Sequence, residues 1–175
     1  AGMSLKDQLW YGPEESADTI EQVAPTLGVA LGGKKLTEVI ERYAALAEAL
    51  GADMRAAPVV EAKKRFDEAS ARLRELAAAK PGLKIMVVTA TPENLYVAYL
   101  PDHPDLSYFQ ELGLRFASPE QPTESEGGFW ETLSWENADK YEADVILVDA
   151  RAQSMKVEEM AKKPTWNDLP AVKAG

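Results

Sequence analysis

The chain has 175 residues, 46% of them hydrophobic and 27% charged, which is the make-up of an ordinary globular protein and the length of one domain, or one and a part. Its formal charge of −10 argues against a nucleic-acid or anionic-membrane surface, because phosphates are held by clustered Lys and Arg that this chain does not gather. With no cysteine there is no disulfide framework and no thiolate chemistry, and no apolar run reaches the ~20 residues of a membrane span.

Residues 5–35 carry short apolar pieces, Leu9-Trp10-Tyr11 and Val29-Ala30-Leu31, broken by Gly12-Pro13 and Pro25. They read as the remnant of a domain that begins earlier. From Leu36 the apolar positions Val39, Ile40, Tyr43, Ala47 and Leu50 follow helical spacing, and Gly51 stands where a left-handed cap residue is expected. Pro58 opens a second helix, with Ala62, Phe66, Ala69, Leu73 and Leu76 as its apolar stripe, and Pro81-Gly82 stops it. Its length of about 22 residues, at ~1.5 Å rise each, reaches roughly 33 Å, enough to bridge two lobes.

After Pro81 the pattern changes to βα units. Ile85-Met86-Val87-Val88 and Val145-Ile146-Leu147-Val148 are apolar on both faces, the mark of strands in a parallel sheet covered by helices. Between them, 96–100 alternates as a short strand, 106–112 is a short helix closed by Gly113, and 114–117 is another strand candidate. A loop follows at 118–128, with Phe129-Trp130 continuing it, and Ser134 is placed to N-cap a helix through Tyr141. The closing run from Leu169 to Gly175 reads as a helical turn that leads into a further strand, so a fragment is expected.

Catalytic constellations are missing their parts. Gly28 to Lys34 has the Gly-x4-Gly-Lys spacing of a phosphate-binding loop, but Lys35 stands where the magnesium-holding Ser or Thr belongs and no buried strand precedes it. A turn before a helix is the favoured reading. His103, the single histidine, is expected in an exposed loop; without cysteine it makes no zinc set, and no nucleophile elbow accompanies it for a hydrolase triad. No cofactor or metal site is expected.

A recognition surface remains. Phe129 and Trp130 precede the Ser134 helix, Tyr96 and Tyr99 follow the first buried strand, and Arg151 follows the second at its carboxyl end, where ligand crevices of open α/β sheets lie. Aromatics there can stack on a planar or apolar ligand face, and an arginine can hold an anionic group bidentately. The competing reading is that Trp130 and the tyrosines pack the rim of the core and that Arg151 is a surface charge.

Three segments resemble a known family. Leu133-Ser134-Trp135-Glu136-Asn137 with the strand after it is similar to the Ser-x-Glu helix and strand in the C-lobe of siderophore- and cobalamin-type solute-binding proteins. Pro164 to Gly175 is similar to the P-x-W-x-x-L-P-A-V-K-x-G run before their last strand, and Ile20 to Thr26 is similar to the IAPT segment that closes their N-lobe. The resemblance implies an α/β, Rossmann-like C-lobe (81–175), an interlobe helix (58–80) and an N-lobe remnant (1–57). It implies a non-enzymatic, extracytoplasmic component of an ABC importer that binds a ferric siderophore and delivers it to the permease. Arg151, Trp130, Tyr96, Tyr99 and Phe129 would then face the ligand, Glu136 would dock an arginine of the permease, and a lipid anchor absent from this chain would tether the protein to the outer face of the cytoplasmic membrane. The alternative is a fragment of a doubly wound α/β enzyme whose catalytic groups lie outside this stretch; a domain for protein-protein contacts alone is a third reading.

Overall fold

The computed structural model describes residues 16–24, 27–123, 128–152 and 154–175. The chain divides into two compact units, 1–30 and 31–175. In the first, Ala17–Val23 forms α1, and the Ala24 N–H donates to the Ile20 carbonyl at its end. Leu9-Trp10-Tyr11, Gly12-Pro13, Pro25 and Thr26 lie outside the described residues.

The second unit opens with two helices whose ends follow local chemistry. A turn at Gly32-Gly33, in place of a phosphate-binding loop on a strand, leads into α2, Leu36–Ala49. Gly51, at φ +92°, ends it: the Gly51 N–H donates to Glu48 O and the Ala52 N–H to Ala47 O, each 2.9 Å, a pair that satisfies carbonyls the last turn would leave open. Pro58 stands in the first turn of α3, Ala57–Ala79, where a missing N–H costs nothing.

The buried faces of these helices differ from their apolar stripes. Val39 is buried in α2, whereas Ile40, Tyr43 and Leu50 are exposed. In α3 the inward line runs through Phe66, Ser70, Leu73 and Ala77, while Ala62, Ala69 and Leu76 face out. Ser70 is the reason for the shift. Its hydroxyl donates to Phe66 O (2.7 Å) and accepts from the Tyr108 hydroxyl (2.9 Å), so a polar residue is buried with its hydrogen bonds made. The Phe66 and Tyr108 rings stack at 5.4 Å beside this bond.

Tyr108 belongs to α4, Pro104–Glu111, which lies on one face of a five-stranded sheet. β1 (Lys84–Ala90) is the hub. It pairs in parallel with β5 (Val145–Val148) on one edge, from Ile85↔Val145 to Val88↔Val148. On its other edge it pairs in parallel with β3 (Arg115–Phe116) near its start and antiparallel with β2 (Asn94–Ala98) near its end. β4 (Trp130–Ser134) adds antiparallel to β2, from Asn94↔Ser134 to Ala98↔Trp130, so it runs in the direction of β1. The expected parallel pairing of the two continuous apolar runs is present, within a mixed sheet.

Both faces of β1 are covered, which is why its sequence does not alternate. Met86, Val88 and Ala90 join Leu95, Val97, Leu133, Trp135, Met160, Trp166 and Leu169 on one side. Ile85 and Val87 join Ala98, Leu100, Leu106 and Trp130 on the other. The first side is closed by α5 (Val157–Met160), α6 (Pro164–Asp168) and α7 (Pro170–Ala174), with Met160 of α5 and Leu169, between α6 and α7, fully buried. Each such side chain stabilises the fold by about 1.5–3 kcal/mol relative to exposure.

Two expectations for 129–141 are corrected. Trp130 lies in β4 and not in a loop, because residues 130–134 complete the pairing of β2. Ser134 ends that strand, and the helix after it, Trp135–Lys140, is a 3-10 helix broken at Asn137. The Ser134 side chain makes no capping bond to the backbone; its Oγ accepts from Asn137 Nδ2 at 3.0 Å.

Candidate ligand-binding site

The site begins where β1 and β5 end. The Asp149 N–H donates to Val88 O (2.8 Å), extending the ladder one residue, and the Thr89 hydroxyl donates to Asp149 O (3.1 Å) and is 2.9 Å from Ser154 Oγ. The Met155 N–H then donates to Ala90 O (2.8 Å). These bonds hold the segment after β5 against the carboxyl end of β1. Asp149 and Arg151 stand two residues apart just after β5. Arg151 Nη2 lies 2.6 Å from Asp149 Oδ2, and both side chains are about one-third exposed.

The arginine also reaches Trp130, with its guanidinium carbon 5.9 Å from the ring centroid. Trp130 itself stands level with the middle of the sheet, opposite Ala98, so the long Arg151 side chain brings the two together. His103 completes this wall. Its ring meets Trp130 edge-on at 5.0 Å and Phe129 edge-on at 5.7 Å, and its Nε2–H donates to Phe129 O at 3.0 Å. The Tyr99 N–H donates to the same carbonyl at 2.9 Å. His103 is therefore half-buried at the N-terminus of α4, and the exposed loop histidine expected from the sequence is not found.

Of the five residues the sequence singled out for ligand contact, Arg151 lies over Trp130, and Phe129 joins them through the ring of His103. Tyr96 packs into the same apolar cluster as Trp130. Tyr99 joins through its backbone. Trp130 is only 8% exposed, so most of its ring is core, and Arg151 lies over that ring. Sequence reasoning passed over His103 and Asp149. Asp149 stands only two residues before Arg151, near enough for the sequence to suggest a pair; His103 depends on residues 26 positions later.

Burial raises the Asp149 carboxyl above its usual range; the positive side of His103 opposes this and Asp105 adds to it. The close Arg151 guanidinium also favours the ionised form, and an ion pair at 2.6 Å is the arrangement of a carboxylate. Among the described residues no group of three or more His, Cys, Asp or Glu side chains is placed to hold a metal ion.

Glu136 sits apart from this wall, exposed on the 3-10 helix that follows β4. The segment is firmly seated. The Trp135 indole N–H donates to Thr91 O and Pro92 O (3.2 and 3.1 Å), and Ala138 is fully buried. Glu131 on β4 takes the Lys140 ammonium on one oxygen and the Tyr141 hydroxyl on the other, the latter at 2.6 Å. The bond from Glu131 raises the Lys140 pKa; burial and then the Glu131 carboxylate raise that of Tyr141.

The family model for periplasmic binding proteins matches residues 6–175. The chain belongs to that family. It is similar to DesE, a ferric-siderophore receptor protein from Streptomyces coelicolor, with 44% identity and a TM-score of 0.87 over 95% of this chain and 56% of that one. This periplasmic binding protein chain thus spans a little over half the length of DesE. It shares its fold with the siderophore periplasmic binding protein of the fuscachelin gene cluster of Thermobifida fusca (20% identity, TM-score 0.61, 92% of this chain and 60% of that one). It shares it too with FhuD2 from Staphylococcus aureus, solved with bound ferrioxamine B (20% identity, TM-score 0.58, 91% and 60%). No curated protein matches the chain. The family is one of binding proteins, of extracytoplasmic type. No helix among the described residues is long and apolar enough to cross a membrane.

Proposed function

We propose that this chain is part of the extracytoplasmic substrate-binding component of an ABC importer, which captures a ferric siderophore and hands it to the membrane permease without catalysing a reaction. The observation that carries the reading is the 44% identity to a ferric-siderophore receptor over nearly the whole chain. Residues 81–175 are the C-lobe, 58–80 the interlobe helix and 1–57 part of the N-lobe. Arg151, Trp130 and Phe129, with Tyr96 and Tyr99 behind them, form the C-lobe wall of the pocket. An arginine that follows β5 and lies over an aromatic ring supports this, since it offers a directional donor for a chelate beside apolar surface.

Glu136 is the permease-docking carboxylate. It is exposed on a segment held from below by Trp135 and Glu131, so it can meet a cationic partner without first being ordered. A lipid anchor outside this chain tethers the protein to the outer face of the cytoplasmic membrane. Titration of the full-length protein with ferric hydroxamate, catecholate and carboxylate chelates, followed by intrinsic fluorescence, tests the central point. Saturable quenching by at least one chelate is expected; no response to any of them would refute the reading.

A further inference from the structure

A lone arginine at a sheet end would invite an anionic ligand. Here the cation is already engaged: Asp149 holds Arg151 Nη2 at 2.6 Å. The guanidinium and the carboxylate offset each other, so this pair presents no surplus of positive charge to a ligand.

We infer that Asp149 is a specificity-determining residue, one that sets how much negative charge the pocket accepts by neutralising Arg151. The inference rests on the chelate-binding role proposed above. A chelate with surplus negative charge must displace or share the guanidinium and must also approach the like charge of Asp149, whereas a chelate with no net charge meets neither obstacle. It can still accept a hydrogen bond from an arginine whose orientation Asp149 fixes. The geometry gives Asp149 two opposing effects: it orders the arginine, which aids every ligand, and it cancels the charge, which penalises anions alone. Only the second depends on the ligand's charge, so a ratio of affinities separates them.

The experiment compares the full-length protein with its Asp149→Asn and Asp149→Ser variants, using two ferric chelates: a charge-neutral tris-hydroxamate and a trianionic tris-catecholate. Dissociation constants come from fluorescence quenching at low and at high salt, and melting curves check folding. The asparagine keeps the size of the side chain and removes its charge. Both variants are expected to shift the ratio of affinities toward the trianionic chelate by about tenfold or more, the equivalent of ~1.4 kcal/mol. The shift should shrink at high salt, as an exposed charge effect must. Adding Arg151→Gln to Asp149→Asn should return the ratio toward that of the unmodified protein. An unchanged ratio in both single variants, with binding retained, overturns the role of Asp149 while leaving the chelate-binding reading intact. If the unmodified protein binds neither of these two chelates, the inference falls, and if it binds no carboxylate chelate either, the chelate-binding reading falls with it.

Discussion

The attachment of α3 to α4 rests on a buried hydrogen bond that can be dissected. Tyr108 and Ser70 are 9% and 5% exposed, and the tyrosine hydroxyl donates to Ser70 Oγ at 2.9 Å while Ser70 donates onward to Phe66 O. Tyr108→Phe removes the incoming bond but leaves no donor stranded, and the ring keeps its place against Phe66 at 5.4 Å. A loss of about 1 kcal/mol in unfolding free energy is expected. Ser70→Ala is worse, because the tyrosine O–H is left buried without its acceptor; about 1–3 kcal/mol should go. With both changes nothing polar is stranded, so the double variant should lose less than the two single losses combined, with a coupling of ~1 kcal/mol. Urea unfolding of all four proteins measures this, with unchanged m-values as the check that the transition itself is the same. Additivity within ~0.4 kcal/mol would refute the claim that this bond ties α3 to α4.

Other expectations follow from the wall and from the docking segment. Arg151→Ala should weaken chelate binding by the full-length protein by ~1–3 kcal/mol while changing the melting temperature little, as calorimetric titration and thermal melts would show. Trp130→Ala confounds affinity with stability, because truncating so buried a ring costs about 3–5 kcal/mol of folding energy. Trp130→Phe is the cleaner variant, and it should reduce affinity with a smaller stability loss. Glu136→Ala should leave chelate affinity intact and cut uptake or the ATPase stimulation of reconstituted importer, and Glu136→Arg should cut it further by like-charge repulsion; normal transport in both removes the docking role. The raised pKa of Asp149 also sets a pH signature. A carboxyl whose folded pKa lies above its unfolded value near 3.8 stabilises the fold most when protonated, and that contribution is lost as pH rises from about the unfolded value through the folded one. Asp149→Asn cannot ionise, so its stability relative to the unmodified protein should improve across that acid window and level off above it; a flat difference in pH-dependent melts would contradict the sign.

Some of this molecule is written locally. Gly51, Pro58 and Pro81 mark the ends of α2 and α3 because a left-handed cap and a missing N–H act within one turn of chain. The runs Ile85 to Val88 and Val145 to Val148 announce a parallel pair, and burial on both faces explains the first; the second is only half-buried, with Leu147 exposed, a difference its own residues do not reveal. The Ser-x-Glu and Pro-x-Trp segments carried the family likeness in the same local way. What the tertiary structure alone decided depends on residues far apart in the chain. Trp130 to Ser134 became a strand because β2 offered an unpaired edge, which no window around Trp130 contains. Ser70 turned inward because Tyr108, 38 residues on, supplies its hydrogen bond. His103 left the surface because two aromatic rings arrive from 26 and 27 positions later to pack against it. Arg151 stood out in the sequence as a cation for an anionic ligand; the strand end places Asp149 against it, and an ion pair presents a different charge to a ligand than an arginine alone. Propensity and periodicity act over a few residues, whereas pairing, burial and net charge at a site are sums over whatever the fold brings within contact distance.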